Sequence, residues 1–178
     1  MKKYAIVVGH TNGADKGAHS PHLGKSEQPY NLEVANALKS IDPNKYDVYT
    51  HDLQTYYTRQ VKLASTLNAK NYDAVIELHF NAAQPSANGT ETLYYFASTK
   101  GKQLAQDLSA AVTKEYGTTI RGDKGTRALT NKNDRGYWFV YLPKATAVIF
   151  EPFFGSHTEA LKFADPKRLA CVINNVLK

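Results

Sequence analysis

The sequence predicts an α/β domain in which a mostly parallel sheet is covered by helices. Two observations carry this reading. Aliphatic and β-branched runs at 3–9, 73–79 and 145–151 have the composition of strands buried on both faces. Between them lie segments of helical periodicity, long enough to cross back over a sheet. At 178 residues, 42% of them hydrophobic, the chain is sized for one domain that buries about 70% of its unfolded surface.

The elements follow in order. Strand 3–9 runs into Gly9-His10 and a loop at 11–25 rich in Gly, Asn, Asp and His. A helix from Ser26 to Ser40 is predicted because Tyr30, Val34, Leu38 and Ile41 recur at helical steps and form a sheet-facing stripe. Pro43-Asn44 turns into a strand at 45–50, and a helix follows near 57–70. Strand 73–79 leads to a loop at 82–89, after which the β-branched and aromatic run 90–96 reads as a strand. In a helix at 99–116, Leu104, Ala105, Leu108, Ala111 and Val112 share one face. The polar, Gly-rich segment 117–136 carries Arg121, Lys124, Arg127, Lys132 and Arg135 and reads as a surface loop. After strand 145–151, Ser156 with Glu159 resembles a capping box, and Asp165-Pro166 opens the last helix with a cap and an N1 proline. No repeat, linker or second domain interrupts 1–178.

Composition removes several classes of function. Cys171 is the single cysteine, so neither an internal disulfide nor a Cys-rich zinc site is possible. Its place beside Leu169, Val172 and Ile173 predicts a small buried side chain. No run reaches membrane-spanning length, so membrane insertion is not expected. Met1-Lys2-Lys3 passes straight into the strand that carries His10, which leaves no room for a signal peptide and predicts cytoplasmic synthesis. A monomer is expected. The net charge of +6 favours an anionic partner, either nucleic acid or a polyanionic surface such as a cell wall. Tyr56-Tyr57 and Tyr94-Tyr95 have rings suited to stacking on bases. The basic residues are scattered, however, and adjacent Tyr in a strand face opposite sides, so nucleic acid is not expected.

Three strands end on chemistry: Gly9-His10, Glu77-Leu78-His79 and Phe150-Glu151. In open α/β sheets ligands bind at the carboxyl ends of strands, so two imidazoles and a carboxylate at that edge are the start of a metal site. A third ligand is sought on the first helix. Glu27 continues the stripe of Tyr30 and Val34, whereas Glu33 groups with Asn36 and Ser40 on the wet face. A core-facing carboxylate is costly unless paired or bound to a cation. The alternative role for Glu27 is a first-turn acid favoured by the helix dipole, and periodicity alone leaves both open. His10, Glu27 and His79 would form a two-His, one-Glu zinc set with an open position, whereas calcium and magnesium prefer oxygen shells. His19, His22, His51 and His157 compete as ligands. Glu77, two residues before His79, shares its side of the strand and is expected to orient it. Glu151, flanked by Phe150, Pro152, Phe153 and Phe154, is placed to take a proton from water and pass it to a leaving amine.

These residues together resemble the zinc-dependent N-acetylmuramoyl-L-alanine amidases of the type-3 catalytic fold, found in cell-wall hydrolases and phage endolysins. Val8-Gly9-His10 resembles the opening Gly-His motif, and Glu27, five residues before Leu32, resembles the metal-binding Glu. Glu77-Leu78-His79-Phe80-Asn81-Ala82 resembles Ser-Ile-His-Ala-Asn-Ala, with Gly89-Thr90-Glu91-Thr92 for Gly-Val-Glu-Thr, and Ala147–Glu151 resembles the segment ending in the catalytic Glu. The resemblance implies that His10, Glu27 and His79 bind zinc and that Glu151 is the catalytic acid/base. It also implies a mixed sheet of roughly six strands and hydrolysis of the amide between the lactyl group of muramic acid and L-alanine in peptidoglycan. Asn81, Gly89, Glu91 and Arg127 are expected at the substrate.

The chain departs from that pattern at Thr11-Asn12-Gly13 for Gly-Gly, at Phe80 for Ala, and at Pro152-Phe153-Phe154 for Leu-Gly-Phe, which bears on substrate preference. Without a signal peptide or wall-binding domain it resembles an endolysin, reaching the wall by holin-type export, more than a secreted autolysin. Two rival readings are a zinc peptidase cutting within the stem peptide and a non-catalytic module binding an anionic polymer.

Overall fold

In the computed structural model, residues 2–11, 13, 15–52 and 55–178 are described; Met1 and Asn12, named above, lie outside the described residues. Strand β1 (Tyr4–Thr11) is buried along its whole length, because each face meets its own core. Ile6 and Val8 pack into one cluster and Ala5 and Val7 into the other. That is why its composition is continuously apolar rather than alternating.

After a two-residue antiparallel ladder of β2 (His19–Ser20) and β3 (Lys25–Ser26), helix α1 (Glu27–Ile41) begins. Strand β4 (Tyr46–His51), helix α2 (Tyr56–Asn68), strand β5 (Ala74–Leu78), strand β6 (Glu91–Tyr95) and helix α3 (Thr99–Tyr116) follow. Then come β7 (Thr126–Leu129), α4 (Tyr137–Tyr141), β8 (Thr146–Glu151), a 3₁₀ turn (Thr158–Phe163) and α5 (Pro166–Val176). The six-stranded sheet has the order β4-β1-β5-β8-β6-β7, in which only the β8–β6 pair is antiparallel. Helices α1, α3 and α5 cover one face through Tyr30, Val34, Leu38, Leu108, Val112 and Ile173. The other face lies under Leu63 and Leu67 of α2 and Phe139 and Val140 of α4. The expected α/β class, mostly parallel sheet and strand count all hold. Among the described residues, no helix is long and apolar enough to cross a membrane.

Several expectations need correction. The segment 117–136 is not all loop, since β7 pairs in parallel with β6 at the sheet edge. Its four residues expose Arg127 and Ala128, so no apolar run betrays it. Ile41 ends the α1 stripe exposed, and Cys171 is exposed while Leu169, Val172 and Ile173 take the core face of α5. Ser156 does not cap: its hydroxyl accepts from Ala83 N–H, and the 3₁₀ turn is capped by His157, whose Nδ1 accepts from Glu159 N–H at 3.1 Å. The Asp165-Pro166 start of α5 holds, with Asp165 Oδ1 accepting from Lys167 N–H at 2.9 Å.

Candidate metal centre and active-site groove

The carboxyl ends of β1, β5 and β8 open into one groove of about 940 Å³. The β1–β4 register shifts between Val7 and Thr11, and His10 takes a left-handed backbone (φ 65°). A non-glycine residue in that region is strained by roughly 1–3 kcal/mol and persists where its surroundings hold it. Here Thr11 N–H donates to Asp15 O at 2.8 Å, and His10 Nδ1 lies 2.8 Å from Asp15 Oδ1. His10 is therefore buried rather than exposed at the strand end as its loop-side position suggests. Two glycines make room for the cluster. A Cβ on Gly9 would sit 2.3 Å from His79 Cε1, and one on Gly17 would sit 2.6 Å from the His10 ring and 2.7 Å from Glu27 Oε2.

Glu27, the first residue of α1, points inward while Glu33 pairs with Lys25 at the surface at 2.6 Å. Glu27 Oε2 lies 3.0 Å from His10 Nε2 and accepts from Ala18 N–H; Oε1 lies 2.7 Å from His79 Nδ1 and accepts from Phe80 N–H. Burial alone would push this carboxyl up, but hydrogen bonds and charge from His10 and His79 outweigh it and hold it at about 2. Burial likewise disfavours the charged imidazoles. Glu27, with Asp15 beside His10 and Glu77 beside His79, overcomes that and raises both.

Among the described residues, His10, Glu27 and His79 are the one group whose ligand atoms lie together, all within 4.8 Å of one another. A metal ion bound here would displace protons from the imidazoles, whose charged forms the surrounding carboxylates favour. Each imidazole's other nitrogen already faces a carboxylate: His10 Nδ1 faces Asp15, and His79 Nε2 lies 3.2 Å from Glu77 Oε2. That arrangement would orient the imidazoles as ligands, so the donor set fits a zinc ion.

Behind the three residues stands a layer of charges. Glu77 shares a side with His79 as expected, and its Oε1 lies 2.8 Å from His51 Nε2, with both side chains buried. Asp15 is held in turn by Arg59 at 3.2 Å. Glu151 closes β8 opposite Glu91, half-buried at the groove. Asn81 Nδ2 donates to Glu151 Oε2 at 2.7 Å and to Glu91 Oε1 at 2.8 Å, while Arg121 Nε lies 3.2 Å from Glu91. Burial pushes Glu151 up to about 7; the charges of Glu91 and Glu27 add to this, against His79 and Arg127.

Of the residues expected at the substrate, Asn81 and Arg127 line the groove. Gly89 and Glu91 are not among the described residues that line it. Gly89 makes a positive-φ turn (105°) against Thr119 and Arg121, and Glu91 faces Asn81 and Arg121. Asp15, Arg59, Arg121 and the pairing of His51 escape sequence reasoning. His51 carries a signal, since it too ends a strand, β4, at the same edge. His19 lies on the short ladder and His157 caps the 3₁₀ turn, so neither joins the cluster.

An open α/β sheet whose strand ends deliver two His to a Glu at the start of a helix, with a separate carboxylate tuned toward neutrality, is the layout of a metal-assisted hydrolase. The chain belongs to the N-acetylmuramoyl-L-alanine amidase family, whose model matches residues 5–175. It is similar to the catalytic domain of an endolysin targeting Clostridia difficile, with 26% identity and a TM-score of 0.74 over 99% of this chain and 97% of that one. It is similar also to the catalytic domain of CwlV, an N-acetylmuramoyl-L-alanine amidase of Bacillus (Paenibacillus) polymyxa var. colistinus, with 25% identity and a TM-score of 0.74 over 99% and 96%. The amidase AmiC2 of Nostoc punctiforme shares the fold at 19% identity, with a TM-score of 0.72 over 99% and 96%. No curated protein sequence matches the chain.

Proposed function

We propose that this amidase hydrolyses the bond between the lactyl carboxyl of N-acetylmuramic acid and L-alanine, using one zinc ion held by His10, Glu27 and His79. The observation that carries the reading is the division of labour among carboxylates. Glu27 is committed to the two imidazoles, whereas Glu151 stands apart in the same groove with its proton affinity raised. Zinc in such a set supplies Lewis acidity, polarising an amide carbonyl and acidifying water to near neutrality.

The chain's own residues do the rest. Asp15 and the His51–Glu77 pair hold the ligand imidazoles in orientation. Asn81 presents the Glu151 carboxylate, which accepts a proton from the attacking water and delivers it to the departing alanine nitrogen. A carboxyl near 7 suits both transfers at neutral pH. Exposed Arg127 on the groove wall offers a charge to the substrate's carboxylates, and the net charge of +6 draws the protein to anionic wall polymers.

The test is mass spectrometry of products from purified cell wall, with and without a chelator. Free lactyl carboxyls with new N-terminal L-alanine, abolished by chelation and restored by zinc, are expected. New N-termini of other residues would place the protein among stem-peptide peptidases, and turnover indifferent to chelation would remove the metal.

A further inference from the structure

Tyr57 belongs to a row of aromatic rings that the chemistry above leaves unused. Tyr57 at the start of α2 meets Trp138 of α4 edge to face, with centroids 4.9 Å apart, and both line the groove that holds His79 and Glu151. Trp138 in turn contacts Tyr137 and Tyr141, which stack on each other at 5.1 Å. Tyr95 at the end of β6 touches both of these, and Phe96 continues the row at 4.9 Å. Tyr57 and Phe96 are each 51% exposed and Tyr141 is 48% exposed. A contiguous row of rings, half-buried at Tyr95, Tyr137 and Trp138 and exposed at Tyr57, Tyr141 and Phe96, that runs out of a catalytic groove marks a binding surface rather than stray apolar residues.

We propose that this row is a shelf for the uncharged sugar strand of the substrate, stacking on pyranose rings beyond the one that carries the scissile amide. The inference rests on the amidase reading, because an amide on a lactyl group obliges a sugar to lie beside the reacting atoms. Continuity does the rest: the row begins at the groove wall and leads away from it. A pyranose has a C–H face that packs on an aromatic ring and hydroxyls at its rim that stay hydrated, and rigid rings bind such amphipathic units at small entropic cost. An anionic polymer fits less well. Among the described residues, no Lys or Arg is stacked on a ring of this row; the cation–ring contacts beside the groove are Arg59 over Tyr56 and Arg121 over Phe154.

Trp138 is the only tryptophan of the chain, so its emission reports occupancy of the shelf directly. The experiment titrates the wild-type enzyme with a hexamer of N-acetylglucosamine, which has no amide to the lactyl group and survives the enzyme. A saturable change in tryptophan emission, insensitive to salt, is expected, together with a dissociation constant raised about tenfold by Tyr57→Ala. Tyr141→Ala serves as a second variant should Tyr57→Ala melt early. Unchanged emission up to millimolar hexamer would overturn the proposal, as would unaltered affinity in the folded variants. A response only to polyglycerol phosphate, lost as salt rises, would overturn it in favour of a polyanion surface. Hexamer binding without L-alanine release from cell wall would leave the shelf standing and remove the amidase reading alone.

Discussion

Replacing Glu151 by Gln separates proton transfer from every other role of the site. Glu151 Oε2 accepts from Asn81 Nδ2 at 2.7 Å, and a Gln carbonyl accepts the same bond, so shape and contact survive while the proton acceptor is lost. General acid–base help is worth typically 10²–10⁴-fold, so L-alanine release from cell wall should fall by at least about 100-fold, with zinc content as in the wild type. Stability supplies a second readout. Burial, with the charges of Glu91 and Glu27 and against those of His79 and Arg127, raises Glu151 from 4.5 to about 7. A carboxyl raised in the fold costs nothing below its unfolded pKa; the cost accrues as pH climbs from the unfolded value toward the folded one and is complete above about 7. Gln escapes that cost. In metal-free protein, variant and wild type should melt together near about pH 4 and diverge above it, the variant gaining up to roughly 3 kcal/mol beyond pH 7. At this size, each kcal/mol moves the melting point by about 2–4 °C, well within calorimetric resolution. Melting curves that stay parallel at all pH values would refute the burial argument. Full zinc with near-normal turnover would refute the catalytic one and pass the role to Glu77. Loss of zinc would make Glu151 a ligand.

Further outcomes follow from the same geometry. Glu27→Ala should lose its zinc while Glu33→Ala, altering only a surface pair with Lys25, retains it; the reverse stoichiometry would overturn the helix-face argument. Gly9→Ala places a methyl 2.3 Å from His79 Cε1, so the ring must shift and metal occupancy should drop; a fully loaded, active variant would show that the backbone yields instead. His51→Ala should weaken zinc binding by about 10–100-fold in competition with a chelator, and His51→Gln, which keeps a donor for Glu77, should recover much of it. Unchanged affinity in both would reduce the His51–Glu77 pair to packing. Activity on whole walls should fall with salt faster than activity on a small soluble muramyl peptide, because a Debye length of about 8 Å screens diffuse charge. Equal losses would place the effect in the site or in stability.

What the sequence determined follows from local periodicity. Runs such as Ala5-Ile6-Val7-Val8 and Val75-Ile76 read as doubly covered strands because each face meets its own core, and that alternation with helices leads to a parallel sheet. Strand ends then located His10, His79 and Glu151, and the spacing from Tyr30 placed Glu27 on the inner face of α1 against Glu33 on the outer. Tertiary structure alone decided the rest, since the deciding contacts join residues distant in sequence or depend on backbone angles that residue types do not encode. The left-handed turn at His10, Asp15 folding back under it, and His51 meeting Glu77 across two strands carry no periodic signal. β7 stayed hidden because a four-residue edge strand with an exposed arginine has no apolar run, and its partner β6 supplies the order. Glu91 shows the same limit. A motif placed it near the substrate, but only its antiparallel pairing sets it beside Glu151, where Asn81 and Arg121 hold it and its charge adds to the burial that raises its neighbour's proton affinity. Periodicity reports which side of its own element a residue occupies, and only the packed sheet determines which charge stands opposite.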